Sequence, residues 1–307
     1  MKAAGGHQRA VTAGLLLAFA LLGAGLRLAY LADFRRHADF DTPKLDAKYH
    51  RYWAHGLATG DWAPPAGEAD PELSRAPFFR PPGYPAFLGL VFRAVGPGNM
   101  APRLAQMALG VANVLLAFGW ARPLFGRRVA LLLALAMTVY WSFIYFEGEW
   151  LEPVLLITLH LLLMTALTAW TRRGTWTRGV AAGVCMGLLV LTRPTALPFV
   201  PVAVLWGAWV LRRAPTRGPL LKTALGFLLA TALVVGTVTV RNYRAARELC
   251  LVSANGGINL FFGNSEYADG YTPYHPAIGD WNCFDYPGIV RRLEKPAGAP
   301  PYRFASA

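Results

Sequence analysis

Apolar runs of bilayer-spanning length, separated by short arginine clusters that contain no acid, constrain this chain more than any single motif. A spanning helix needs roughly 20 mostly apolar residues. Candidate spans cover residues 11–31, 101–120, 129–146, 151–170, 179–191, 196–211 and 220–240. With 55% of its residues hydrophobic and only 15% charged, the 307-residue chain reads as a multi-span membrane protein, not a soluble domain. The net charge of +13 does not point to nucleic acid, because the basic residues are spread between apolar runs and form no single patch.

That spread has an order. Lys2 and Arg9 form one acid-free segment, and Arg122, Arg127 and Arg128 a second. Arg172, Arg173 and Arg178 form a third, and Arg212, Arg213, Arg217 and Lys222 a fourth. All 17 Asp and Glu residues fall within 33–72, 147–152 and 248–294. The positive-inside rule then predicts a multi-pass protein of the inner (plasma) membrane with a cytoplasmic N-terminus. The acid-bearing segments face the periplasm or cell exterior. The first run follows Lys2 and Arg9 as a signal peptide would, but it is long and lacks a small-x-small cleavage site, so it reads as a retained anchor.

Residues 85–96 are apolar but short, follow Pro-Pro-Gly-Tyr-Pro and contain Arg93. A crossing there would put every later arginine cluster outside, so this segment is expected to lie along the outer membrane surface. The predicted fold is an all-α polytopic membrane bundle of about seven spans over residues 1–243. Its outer loop, 32–100, carries interfacial helices at 47–58 and 85–96, and residues 244–307 form an extracytoplasmic segment.

The outer segments hold the chemistry. In LDAKYHRYWAHGLATGDW, Tyr49, Trp53 and Leu57 recur every four residues, which predicts a short helix with one apolar face at the membrane interface. Asp46 is either the N-cap of that helix or a general base kept ionised by neighbouring cations. Glu147, Glu149 and Glu152 in EGEWLEP are either turn acids, with Glu152 favourable ahead of a helix opening at Pro153, or carboxylates lining the same cleft.

Arg193 in LTRP, near the end of a span, is expected to pair with one of those glutamates or to have a task of its own. Arg80 in FFRPPGYP either reaches to lipid headgroups or binds phosphate oxygens with its planar fork. Asn255, Gly256, Gly257, Asn259 and Asn264 suit turns that display amides beside aromatic rings, a surface for sugars, although Asn-Gly is also an ordinary hairpin turn. Tyr49 and Tyr84 are the aromatic candidates for sugar contact.

Of the three cysteines, Cys185 sits in a span and reads as packing. Cys250 and Cys283 lie in the outer segment, where an oxidising compartment permits a disulfide or two free thiols. No HExxH, CxxC, P-loop or GxGxxG spacing is present, so no cofactor is evident and a divalent metal stays open.

Six of these stretches occur in one order: LDAKYHRYWAHGLATGDW, FFRPPGYPAFLGLVFRAVG, ARPLFGRRVALLLALA, EGEWLEPVLLI, LTRP and SANGGINLFFGN. In them the chain resembles the polytopic GT-C glycosyltransferases that use polyprenyl-phosphate sugars. The nearest branches are the protein-mannosyltransferase-like, aminoarabinose-transferase-like and Rgt-type transferases of lipopolysaccharide cores. The resemblance implies an inverting sugar transfer at the extracytoplasmic face, from a polyprenyl-phosphate donor to an acceptor glycan, lipid or protein.

It also implies Asp46 as catalytic base, with Arg80, and beside it Arg193 and Lys48, near the donor phosphate. Relatives often carry a second acid after that Asp, where this chain has Ala47, and an Asp-Pro or Glu-Pro at the position of Glu152-Pro153. Members are commonly longer, so a C-terminally truncated copy is expected. Two rival readings are a transporter or flippase for a lipid-linked glycan and an inactive truncated assembly partner. A transporter calls for ionisable residues inside the spans, which read as nearly uncharged in their centres.

Overall fold

The computed structural model describes residues 2–73, 79–212, 220–247, 249–271, 275–276, 282–285 and 288. The fold is an all-helical membrane bundle, and no β-strand lies among the described residues. Lipid offers the backbone no hydrogen bonds, so a spanning segment has to satisfy its own, and a helix does so. In chain order the helices are α1 (Lys2–Phe34), α2 (Leu45–Thr59), α3 (Gly83–Val95), α4 (Met100–Val139) and α5 (Trp141–Gly148). They continue with α6 (Pro153–Arg172), α7 (Trp176–Thr192), α8 (Phe199–Arg212), α9 (Leu220–Ala246) and α10 (Asn255–Asn264).

Among the described residues, four segments are long and apolar enough to cross a membrane: Gly6–Phe34, Met100–Val139, Pro153–Arg172 and Leu221–Ala246. The α4 stretch is in fact two helices. Gly126, with φ 81° and ψ 172°, breaks it in a conformation that only glycine adopts at little cost. Val114, Phe118 and Ala121 before the break share a buried cluster with Ala130 and Ala134 after it, joined by Leu16 and Phe19 of α1. The second arm and α5 together occupy the stretch read as span 129–146. Helix α3 has 13 residues, a rise of about 20 Å, too short for a hydrocarbon layer of about 30 Å.

The closest helix packing joins α7 to α9. Gly179, Gly183 and Gly187 recur every four residues along α7. A Cβ at Gly179 or Gly183 would run into the carbonyl oxygens of Thr223 or Phe227, and one at Gly187 would lie 2.6 Å from Val234 Cβ. This small-xxx-small stripe lets two backbones approach where hydrophobic driving force between helices is absent. Beside it Trp170 of α6 stacks on Phe227 of α9, with ring centroids 5.5 Å apart.

Polar contacts sort the two ends of the bundle. At one end Arg127 donates to the Gln8 carbonyl and to Thr12 Oγ1, and Arg172 donates to the Pro123 carbonyl. The starts of α7 and α9 meet there too, through Gly179 and Thr223. The described parts of the four basic segments therefore converge on this end.

At the other end Arg27 of α1 clamps Glu147 of α5, Nε to Oε2 at 2.5 Å and Nη2 to Oε1 at 2.8 Å. Arg27 is 1% exposed and Glu147 2%. To the two readings of Glu147, turn acid or cleft carboxylate, the clamp adds a third: its carboxylate is taken up by a buried arginine near the end of the first span. Gln106 of α4 donates to the carbonyls of Glu147 and Glu149, and Arg103 to that of Gly148. The α5–α6 turn is thus anchored from two helices.

Replacing Glu147 with Gln leaves Arg27 buried beside a neutral group. The expected cost is about 3 kcal/mol of stability, read as a lower Tm of the purified protein, with the folded fraction keeping its specific activity. A variant as stable as the parent would show that the clamp is not structural.

Candidate active site

Helix α2 opens at Leu45, an exposed residue at φ 49°, in the left-handed region that a leucine enters at a cost of about 1 kcal/mol. That turn places Asp46 in the first helical turn and not at the N-cap, which is Lys44 and makes no side-chain cap bond. The Asp46 carboxylate instead meets the fork of Arg80, Nη1 to Oδ2 at 2.8 Å and Nη2 to Oδ1 at 2.6 Å. The Arg80 side chain is 17% exposed and that of Asp46 46%. The guanidinium therefore sits in the wall while the carboxylate keeps a solvent-facing side. Arg80 lies 5.6 Å from the ring centroids of both Tyr49 and Phe79, which add a cation–π contribution from behind.

Helix α2 packs its buried residues within the protein. Tyr49, Tyr52 and Trp53 enter an aromatic cluster with Phe79, Ile258, Phe262 and Phe284. Ala47 and Ala54 pack on Tyr84, Leu88 and Phe92 of α3 and on Trp150. Leu57, expected on the apolar face, is exposed. Tyr49 is 0% exposed and so offers no surface to a sugar; its ring supports Arg80.

The segment after α9 also differs from its expected turns. Residues 255–264 form α10, because Ile258 and Phe262, one turn apart, both bury in the aromatic cluster. Asn255, Gly256 and Asn259 of its first turns face a cleft of about 340 Å³. The same cleft is lined by Asp46 and His50 of α2, by Arg80, by Tyr84 of α3, by Glu152, and by Thr192 and Arg193 at the end of α7. Arg193 Nη1 donates to Glu152 Oε1 at 2.7 Å, which selects Glu152 among the three glutamates. Arg193 is exposed at the α7 C-cap and is not sunk in the span.

Several candidates fall elsewhere. Gly257 does not line the cleft, and Asn264 donates to the Leu260 carbonyl on an exposed face. Glu149 also lies outside it, half-buried, its carboxyl pushed up by that burial against the pull of Arg103. Lys48 pairs with Glu68 and lies 5.6 Å from the Phe284 ring. It lines a second cleft of about 420 Å³ with Lys44, Leu45, Asp46, Glu68, Asn282 and Phe284. There the Asn282 amide, and next Lys48, hold the Glu68 carboxyl below its ordinary range. Asp46 is the residue that both clefts share. Cys250 is buried, while the Cys283 side chain, and with it the expected pairing, lies outside the described residues.

His50 was not singled out in the sequence, although it stands one helical turn after Asp46. It is buried, bonds the Trp150 carbonyl through Nδ1 at 3.0 Å, and meets the Tyr84 ring edge-on with centroids 5.0 Å apart. Tyr84 in turn donates to Gln106 Oε1 at 2.5 Å. Burial pushes the imidazole below its ordinary pKa, against the Trp150 bond, which raises it. Burial likewise holds the Tyr84 phenol well above its ordinary range. Both groups are neutral at physiological pH and brace the cleft floor. Arg103 and Gln106, three residues apart at the polar start of an apolar helix, were the other available signal.

The family model described as dolichyl-phosphate-mannose-protein mannosyltransferase matches residues 79–240. That is more than half of the chain. It covers Arg80, Glu152 and Arg193 but begins after Asp46 and ends before α10. No curated protein and no solved structure matches the chain.

The depressed pKa of His50 gives a signed prediction. The unfolded chain takes up a proton near pH 6.5 and the folded chain resists it. The contribution of His50 is therefore intact above that pH and shrinks as pH falls below it. Between about pH 7.5 and pH 5.5, the Tm of the parent should fall more steeply than that of His50→Gln. Parallel slopes would remove His50 from this role.

Proposed function

Because the chain belongs to the dolichyl-phosphate-mannose-protein mannosyltransferase family, a group of membrane glycosyltransferases of the GT-C type, we propose that it moves a sugar from a polyprenyl-phosphate donor to an acceptor at the acid-bearing end of the bundle. One observation carries this reading. Two carboxylates and two guanidiniums from four separate segments, Asp46, Arg80, Glu152 and Arg193, meet in one cleft at the end opposite the basic loops. By the positive-inside rule that end is extracytoplasmic.

In this mechanism Asp46 takes the proton of an acceptor hydroxyl or amine as the acceptor atom bonds to the anomeric carbon. The bond from that carbon to the phosphate oxygen breaks, its electron pair leaves with the phosphate, and the anomeric centre inverts. A phosphodiester with one negative charge becomes a monoester with two. Arg80 and Arg193 are placed to offset the charge that appears, without having to reorganise at the moment of reaction.

The Arg80 fork is taken up by Asp46, so a phosphate that engages Arg80 frees a carboxylate oxygen to act as base. Arg80 Nε, buried without a partner among the described residues, is a further donor for that phosphate. The second cleft reaches Asp46 from its other side and gives the acceptor a route that does not cross the donor. Leu90 and Val95, exposed on α3, provide apolar surface for the isoprenoid tail.

Asp46→Asn keeps the size of the side chain and an acceptor for Arg80 but removes the base. Turnover of a labelled polyprenyl-phosphate mannose should fall at least about a hundredfold with little change in Tm; near-parental turnover would exclude Asp46. Arg80→Lys keeps the charge and loses the fork, so the donor KM should rise while the acceptor KM stays put. An unchanged donor KM would exclude the phosphate role of Arg80.

A further inference from the structure

The bundle carries another polar cleft, at the basic end, far from the carboxylates. It measures about 430 Å³ and lies between α4 and α6, lined among others by Trp120, Thr165, Thr168, Arg172, Arg173 and Arg178. No acid lines it, and none of its three arginines forms an ion pair among the described residues. Arg172 spends one N–H on the Pro123 carbonyl, and Arg178 directs Nη1 at the Ala169 and Arg173 carbonyls. The Arg173 guanidinium is exposed and makes no hydrogen bond among the described residues. Each guanidinium has five donors, so most remain available.

A further feature narrows the ligand. Thr165 and Thr168 donate their hydroxyl protons to the Leu161 and Met164 carbonyls, which leaves their oxygens as acceptors only. The cleft therefore offers several donors and positive charge for an anion, with acceptors beside them for a hydroxyl. Below it the surface turns apolar: Leu115, one turn before Gly119, and Leu162, one turn before Thr165, are both exposed.

We propose that this cleft binds the headgroup of an anionic phospholipid bearing hydroxyls. Its phosphodiester sits among the three arginines, its headgroup hydroxyls meet Thr165 and Thr168, and its acyl chains run along Leu115 and Leu162. The site is separate from sugar transfer and does not depend on the reading of the other end.

Binding of phosphatidylglycerol, phosphatidylcholine or inorganic phosphate to the purified full chain in detergent, followed by native mass spectrometry and by Tm, tests it. Phosphatidylglycerol should be retained as one bound copy and raise Tm, and phosphatidylcholine should do neither. Arg173→Gln changes an exposed side chain that makes no hydrogen bond or ion pair among the described residues, so the fold should be kept, and it should weaken phosphatidylglycerol binding about fivefold. Arg173→Glu reverses the charge at the same exposed position and should weaken it further. Equal retention of the two lipids, or unchanged binding in both variants, would overturn the proposal. An equal Tm rise with inorganic phosphate alone would overturn the lipid as the source of the anion.

Discussion

Arg27 and Glu147 leave water together, and the outer half of the bundle is arranged around that pair. Neither charge is tolerable alone in a low-dielectric interior, so α1 and α5 are held in register by mutual need. The turn that follows Glu147 then has little freedom. Gln106 and Arg103 take its carbonyls, and the Trp150 carbonyl accepts from His50 on α2. Glu152, at the end of the turn, reaches Arg193. One buried ion pair thus positions the carboxylate of another, exposed one.

The two ion pairs in the candidate site differ from the clamp in kind. Asp46 and Arg193 keep substantial solvent contact, and exposed pairs of this sort contribute little to stability. A pair that contributes little is cheap to open. Under the proposed mechanism that property is useful, because there a phosphate displaces a carboxylate from a guanidinium.

Much of this was legible in the sequence. The apolar runs and the acid-free arginine clusters specify an all-helical bundle and its two chemically distinct ends, because lipid enforces both patterns. Asp46, Arg80, Glu152 and Arg193 stood out as charges at the ends of apolar segments, and the fold brings them into one cleft. What was hidden depended on partners far along the chain. Glu147 looks like Glu152 until Arg27, 120 residues away, is placed beside it. Tyr49 looks like an exposed interfacial ring until Phe79 and Phe284 close over it. The α10 segment reads as turns by its glycines and asparagines, and becomes a helix because the aromatic cluster needs Ile258 and Phe262 on one side.

The glycine stripe between α7 and α9 has a consequence for the shape of the candidate cleft. Thr192 and Arg193 cap α7, and the strand of chain leading to α10 is tied back to α9 by Asn242, whose amide donates to the Cys250 and Val252 carbonyls. Backbone contact at Gly179 and Gly183, with the Val234 side chain seated against Gly187, leaves little room for sliding. This side of the cleft is a fixed jamb, so any widening falls to the facing side, formed by α2, by α3 and by the Arg80 segment that precedes it.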